Sequence, residues 1–351
     1  MIGGVDKVLG SPGLGRRVVA IFAALLAANI AAWAAALIVF WSEPLLLGTA
    51  LLAYGFGLRH AVDADHIAAI DNVTRKLLHD GRRPAGVGLY FSLGHSTVVI
   101  AATVLVAATA TAVQTTFPAF KDIGAIAGTF MSAAFLLVIA AANTPVLLRL
   151  WRDARAARRT EADDQARLGG ALAQRGLLAR MFRPLLGLIG KSWHMYPLGF
   201  LFGLGFDTAS EIGLLGVSAA EAAKGLPIWS VMVFPALFTA GMALVDTADG
   251  VLMLGAYGWA VVRPAGRRIY NMAVTGLSVL VAVLVGGVEL LGLIGDRLGL
   301  DGRFWRMVGT LNDNSGAVGY VIVAVFALSW LGWTLAHRLK GSPAAEAAPR
   351  E

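Results

Sequence analysis

The chain has 351 residues, of which 57% are hydrophobic and 15% are charged, with a formal net charge of +7. Soluble domains carry about 25% charged residues, so the two or three soluble domains usual for this length are excluded. The absence of cysteine excludes disulfides, thiolate metal ligands and thiol nucleophiles. The basic residues are not interleaved with aromatic residues, as they would be on a nucleic-acid surface, so we expect no nucleic-acid partner.

The apolar residues form long segments of the kind that cross a lipid bilayer as helices. About 20 helical residues span the ~30 Å of hydrocarbon in a bilayer. The sequence therefore predicts an all-α, polytopic membrane protein with about eight transmembrane helices, at residues 18–40, 44–70, 87–113, 122–148, 196–220, 227–256, 269–294 and 315–336. The first segment follows two arginines, as a signal peptide would, but it is too long for a signal core and is expected to remain as a helix.

The distribution of Lys and Arg predicts which side of the membrane each loop faces. Most of the 29 basic residues lie in the two termini and in the loops after helices 2, 4 and 6. Because basic residues are enriched on the cytoplasmic side, both termini are expected to be cytoplasmic. The opposite side holds five basic residues: Lys121, Lys224, Arg297, Arg303 and Arg306.

This topology divides the chain into four parts. Residues 1–148 are expected to contain helices 1–4, with a cluster of His and Asp in helix 2. Residues 149–195, rich in Arg and Ala, are expected to form a cytoplasmic loop. Residues 196–338 then contain helices 5–8, and the terminal residues 339–351 are expected to be a disordered tail.

The second apolar segment contains the sequence LRHAVDADHI, which holds five ionisable residues: Arg59, His60, Asp63, Asp65 and His66. Ionisable side chains are costly within a membrane, so they face protein or water and indicate function. If this helix is regular, Arg59, Asp63 and His66 share one face, His60 lies at its edge and Asp65 points elsewhere. A purely structural network of Arg–Asp and His–Asp pairs is the alternative interpretation.

Four further segments carry polar residues. In chain order they are His95, Ser96, Thr97, Asn143, Asp207, Thr208, Glu211, Asp246 and Asp249. The two carboxylates of segment 5 are four residues apart and those of segment 6 are three apart, so each pair shares a helix face. Counting along each segment places its His, Asn, Asp and Glu residues between the midplane and the cytoplasmic boundary. The sequence therefore predicts one site in one layer of the membrane.

The donor groups of this predicted site are three imidazoles, several carboxylates, hydroxyls and an amide. Imidazole together with oxygen suits Ni²⁺, Co²⁺ or Zn²⁺, whereas Mg²⁺ and Ca²⁺ prefer oxygen alone and Cu⁺ prefers sulfur. Carboxylates beside imidazoles hold the rings in one tautomer. The pattern indicates a site for a borderline divalent metal ion.

The same segments carry a resemblance to a known family. RHAVDADHIAAIDN, LGHSTVV, LGFDTASEIGLL and LFTAGMALVDTADG stand in order, and over roughly residues 44–260 the chain resembles the nickel/cobalt transporter family. The resemblance implies an eight-helix permease of bacterial inner membranes that takes up Ni²⁺ or Co²⁺ as its substrate, with no further cofactor. It also implies functional importance for His60, Asp63, Asp65 and His66.

Together these arguments give the expected site residues. Metal ligands are expected among His60, Asp63, Asp65, His66 and His95. The transport pathway, or the groups that support the ligands, are expected to include Arg59, Ser96, Thr97, Asn143, Asp207, Thr208, Glu211, Asp246 and Asp249. The expected partners are a divalent metal ion and the lipid bilayer.

Three other functions fit part of the pattern. Export, or transport of another ion such as Zn²⁺, would use the same residue types. The spacing of His60 and Asp65 matches the His-x4-Asp pattern of lipid acyltransferases, in which the histidine is the base. Those enzymes need a soluble lobe for the acyl acceptor, and no segment of this chain is long enough for one. A metal sensor or channel would differ in its kinetics, because a channel does not saturate at micromolar metal.

Overall fold

The computed structural model describes residues 13–108, 113–157, 189–205, 208–262, 267–322, 324–325 and 328. Within these ranges the chain forms helices and turns and contains no β-strand. The helices are α1 (Leu14–Phe40), α2 (Pro44–His60), α3 (Ala64–His79), α4 (Val87–Ala108), α5 (Val113–Ala157), α6 (Met195–Gly203), α7 (Ala209–Ala223), α8 (Ile228–Val231), α9 (Val233–Val262), α10 (Arg267–Leu298) and α11 (Arg303–Asp313). A 3₁₀ helix, Ser192–His194, precedes α6, and residues 315–322 are also helical.

Several of these helices are long and apolar enough to cross a membrane. Five such stretches lie in α1, α4, α5, α8–α9 and α10, and the bent pair α2–α3 makes a sixth. The prediction of an all-α, multi-pass membrane protein is therefore confirmed. The count of eight helices and the cytoplasmic position of both termini stay predictions.

The predicted regular helix over residues 44–70 is wrong. α2 ends at His60, α3 begins at Ala64, and the two helices are bent by 49°. Asp63, the residue before α3, has φ −65° and ψ 144°, an extended conformation that interrupts a helix. Asp is favoured at this position because its carboxylate can accept a hydrogen bond from the first turn. Here it makes no such bond, so the carboxylate is available to other partners.

The predicted fifth span, 196–220, is also interrupted. α6 ends at Gly203 and α7 begins at Ala209, directly after Thr208. Thr208 is extended, with ψ 144°, and its side chain accepts a hydrogen bond from the Glu211 N–H, which caps the start of α7. Two of the predicted spans are thus pairs of shorter helices, whereas α4 and α9 run through without a break.

α9 lies at the centre of the bundle and packs against α1, α2, α3 and α4. Glycines bring the backbones close together at two of these contacts. Gly57 of α2 lies against the backbone of Phe238, and Gly88 of α4 lies against the backbone of Asp246, so a Cβ at either position would overlap the neighbouring chain. This close packing fixes α4 and α9 beside the break between α2 and α3.

Two elements differ from their predicted extents. α5 continues to Ala157, beyond the predicted span 122–148 and into the predicted loop, whose residues 158–188 lie outside the described residues. α11 was not predicted. Phe304, Met307 and Val308 are three and four residues apart and therefore share one apolar face of the helix. Val308 is buried, whereas Phe304 and Met307 are exposed. Most of the predicted eighth span and the tail also lie outside the described part of the chain.

Candidate metal site

Three imidazoles meet where α2, α3 and α4 come together. His60 is the last residue of α2, His66 lies in the first turn of α3, and His95 projects from α4. All three are buried, and their ring centroids are 4.6–4.9 Å apart. One nitrogen from each ring can be chosen so that all three atoms lie within 4.8 Å of one another. The break between α2 and α3 makes this possible, since it turns His60 and His66 towards each other.

The centre of the cluster is formed by two imidazole nitrogens and one carboxylate oxygen. His60 Nε2 lies 2.9 Å from His95 Nε2. Glu211 Oε1 lies 2.9 Å from the same His95 atom and 3.8 Å from His60 Nε2. These three donor atoms therefore lie within 3.8 Å of one another.

A carboxylate lies within hydrogen-bond distance of the Nδ1 atom in two of the three rings. Asp63 Oδ2 lies 3.1 Å from His60 Nδ1, and Asp246 Oδ1 lies 3.3 Å from His66 Nδ1. A carboxylate that accepts the Nδ1–H leaves the Nε2 lone pair free for a metal ion, and this arrangement is usual around metal-binding histidines. His66 Nε2 makes no hydrogen bond within the described chain. The geometry therefore presents His60 and His66 as donors through Nε2.

Glu211 is held by the start of α7. The Thr208 hydroxyl donates to Glu211 Oε2 at 3.1 Å and lies 3.2 Å from His60 Nδ1. This contact fixes one carboxylate oxygen and leaves Oε1 facing the histidines. Thr208 thus links the α6–α7 interruption to His60 at the α2–α3 interruption.

The guanidinium of Arg59 lies at one edge of the site. Arg59 donates to the Ser210 hydroxyl at 2.9 Å and lies 3.8 Å from Asp63 Oδ1, which also accepts from Ser315 at 3.3 Å. Ser210 and Ser315 are not among the predicted site residues. Ser210 could have been found, because it stands between Thr208 and Glu211 in the segment TASE. Ser315 carries no comparable signal, and only the fold brings it to Asp63.

Some predicted site residues lie away from the histidines. Thr97 bonds to the Leu93 carbonyl and Tyr196, and Asn143 bonds to Asn72. Asp65 is half-buried and interacts electrostatically with His66. Ser96 and Asp249 are buried near the site, whereas Asp207 lies outside the described residues. The structure thus gathers His60, Asp63, His66, His95, Thr208, Glu211 and Asp246 and leaves Thr97 and Asn143 elsewhere.

The model of one protein family, described as high-affinity nickel-transport protein, matches residues 46–336, which include every described side chain of the site. The chain belongs to this family. A high-affinity nickel transport protein of Cupriavidus necator is 53% identical to it over 92% of each chain. The nickel transporter NicT of Mycobacterium tuberculosis is 50% identical over 81% of this chain and 77% of its own length.

A cobalt transporter is also among the relatives. The cobalt transport protein NhlF of Rhodococcus rhodochrous is 41% identical over 84% of each chain. No solved structure matches the chain. The family and its relatives are transporters, so the acyltransferase interpretation of His60 and Asp65 is excluded.

Proposed function

We propose that this protein is a secondary transporter that takes up Ni²⁺, Co²⁺ or both across the bacterial inner membrane. The ion is the transported substrate and not a resident cofactor. It binds within the membrane at His60, His66 and His95, with Glu211 as an oxygen ligand, while Asp63 and Asp246 orient the rings. The observation that carries this proposal is the convergence of three buried imidazoles, two of which lie within 3.8 Å of one carboxylate oxygen of Glu211.

The spacing of the donor atoms supports a metal ion at this point. Two nitrogens that bind one ion at about 2.0–2.1 Å lie roughly 3 Å apart. His60 Nε2 and His95 Nε2 are separated by 2.9 Å. Imidazole and carboxylate donors without thiolate favour nickel, cobalt or zinc. The nickel and cobalt transporters among the relatives favour the first two of these ions.

The proposed topology has eight spans with both termini in the cytoplasm, as the distribution of basic residues indicates. An inside-negative membrane potential then drives cation entry by about 2.3 kcal/mol per charge for each 100 mV. A divalent ion gains about twice that energy, which is sufficient for uptake without ATP hydrolysis.

The test is uptake of radioactive nickel into liposomes that contain the purified protein. A potassium gradient with valinomycin sets an inside-negative potential, and no ATP is present. We expect saturable uptake that unlabelled Co²⁺ inhibits, whereas Mg²⁺ does not. The matched control variant is His194→Ala, which removes a histidine from the 3₁₀ helix before α6 and should leave uptake unchanged.

Three results would contradict the proposal. Uptake that increases linearly with metal concentration would indicate a channel. Stronger inhibition by Zn²⁺ than by Co²⁺ would indicate a zinc transporter. Movement of the metal ion only outward, against an inside-negative potential, would indicate export.

A further inference from the structure

A second group of buried carboxylates lies beside the histidine site, towards the C-terminal ends of α3 and α9. Asp249 follows Asp246 by three residues on α9, so the two side chains are neighbours on one helix face. Asp71 of α3 lies nearby, because the residue before it, Ile70, is beside Gly250 where α3 and α9 meet. Asp249 interacts electrostatically with both Asp71 and Asp246. Three acidic residues therefore meet at one contact between two helices.

The oxygens of two of these side chains lack partners. Both oxygens of Asp249 and the Oδ2 of Asp246 accept no hydrogen bond from the described residues. Asp249 is 8% exposed and Asp246 is fully buried. A buried carboxylate is destabilising unless a cation or hydrogen-bond donors compensate it. The oxygens of Asp246 and Asp249 therefore have capacity to bind a cation.

The nearest basic side chain on α3 does not fill this capacity. Arg75 lies one turn beyond Asp71 and is buried, but its Nη1 and Nη2 make no hydrogen bond to any described residue. Among the described residues, no guanidinium therefore holds the carboxylate oxygens of Asp249. In contrast, on the other side of the histidines, Arg59 bonds to Ser210 and lies close to Asp63.

We propose that Asp246, Asp249 and Asp71 form a second cation station, built from oxygen ligands, that receives the transported ion from the histidine site. This inference rests on the proposed transport function. Asp246 connects the two sites, since its Oδ1 contacts His66 while its Oδ2 accepts no hydrogen bond from the described residues. Oxygen ligands hold nickel and cobalt less strongly than imidazoles do, so the ion leaves this station more readily. The proposed topology places the station on the cytoplasmic side of the histidines.

The alternative is that these carboxyl groups are protonated and only hold α3 and α9 together. Asn has the shape of a protonated Asp and cannot supply a charge. The variants Asp249→Asn and Asp71→Asn therefore distinguish the two interpretations. Asp80→Asn is the matched control, because Asp80 lies just after α3 with an exposed side chain paired to Lys76.

The first measurement uses Mn²⁺, an ion that prefers oxygen ligands. Titration of the full-length purified protein, followed by the electron paramagnetic resonance signal of free Mn²⁺, should detect one bound ion. Asp249→Asn should lose this ion, and Asp80→Asn and His60→Ala should retain it. Retention of Mn²⁺ by both Asp249→Asn and Asp71→Asn would overturn the proposal, as would its loss from His60→Ala.

The second measurement separates binding from transport. Asp249→Asn should keep the visible absorption of Co²⁺ bound to the histidines, with a dissociation constant within about twofold of the wild type. Its maximal rate of nickel uptake should fall at least tenfold, and Asp249→Glu, which restores the charge, should recover part of it. Loss of the Co²⁺ spectrum in Asp249→Asn, with the protein still folded by gel filtration, would overturn the separate station.

The two proposals fail in different ways. If the wild type takes up no nickel or cobalt, the proposed function is wrong whatever the Mn²⁺ titration gives. If the wild type transports nickel and Asp249→Asn transports it at the same rate, the second station is wrong and the transport function stands.

Discussion

The interrupted segments and the continuous helices contribute differently to the site. On a regular helix, two residues six positions apart would point about 120° apart and lie about 9 Å apart along the axis. Because α2 ends at His60 and α3 starts again at Ala64, the rings of His60 and His66 are only 4.6 Å apart. The second interruption places Thr208 and Glu211 opposite them. Breaks in the helices therefore bring together side chains that regular helices would keep apart.

The continuous helices add one group each from a fixed position. α4 contributes His95 and α9 contributes Asp246. The close backbone contact at Gly88 fixes the position of α4 beside Asp246. The interrupted segments thus bring the site residues together, whereas the continuous helices fix the distances between them.

The largest expected effect comes from removing the imidazoles of the first interruption. His60→Ala and His66→Ala should each reduce nickel uptake by about 100-fold or more, since supporting partners alone are worth 10–100-fold. His95→Ala, on a continuous helix, should have a comparable effect because its Nε2 contacts both His60 and Glu211. Uptake of radioactive nickel into liposomes provides the measurement, with the amount of inserted protein determined by immunoblot.

Near-normal uptake by both His60→Ala and His66→Ala would remove the basis for assigning these residues as ligands. Near-normal uptake by His95→Ala alone would restrict the ligands to the interrupted segment.

A smaller effect is expected from the two carboxylates that hold the rings. Asp63 stands in the interruption and Asp246 on a continuous helix, and each lies close to an Nδ1 atom. Asp63→Asn and Asp246→Asn should each weaken cobalt binding by about 10–100-fold, because a neutral amide fixes the tautomer less well. Equilibrium dialysis with Co²⁺ measures this change. An unchanged affinity in both variants would show that the carboxylates are structural.

Much of this architecture could be predicted from the sequence. Long apolar segments predicted a helical membrane protein, and the intramembrane His, Asp and Glu residues predicted one site. The interruptions could not be predicted in this way, because LRHAVDADHI continues an apolar segment without Pro and its glycines precede the break. The break lies at Asp63, whose carboxylate contacts His60 and Arg59 in the preceding turn and also accepts a hydrogen bond from Ser315, a partner 252 residues away that only the fold brings close.

The same limit explains why some predicted site residues lie away from the histidines. Thr97 follows His95 closely in sequence, but it lies on a different part of α4 and bonds to Tyr196. Asn143 is at a suitable predicted depth, yet its helix faces Asn72 and not the histidines. Depth along a segment follows from counting residues, whereas direction around it depends on packing that one sequence does not specify.

The affinity for Co²⁺ should also depend on pH, an effect to which ligands on the interrupted and on the continuous helices both contribute. Metal binding requires neutral imidazoles and ionised carboxylates, so protons compete with the ion at both the interrupted and the continuous elements. Free imidazole titrates near pH ~6.5, and the affinity for Co²⁺ should therefore fall about tenfold or more between pH 8 and pH 5. A constant affinity over this range would argue against imidazole ligands altogether.

The smallest expected effect concerns a hydroxyl that starts a helix at an interruption, compared with one on a continuous helix. Thr208 accepts from the Glu211 N–H and donates to the Glu211 carboxylate, whereas Thr103 of α4 bonds to the carbonyl four residues before it. Thr208→Ala should lower the free energy of unfolding by about 1 kcal/mol through loss of the N-cap. It should also weaken Co²⁺ binding several-fold, since Glu211 loses the contact that orients its Oε1.

Thr103→Ala should leave the Co²⁺ affinity unchanged, and Thr208→Ser, which keeps the hydroxyl, should restore both properties. Thermal unfolding in detergent and equilibrium dialysis measure the two quantities. Equal Co²⁺ affinities for Thr208→Ala and Thr103→Ala would mean that the α7 interruption does not position the carboxylate, and Glu211 would then be oriented by His95 alone.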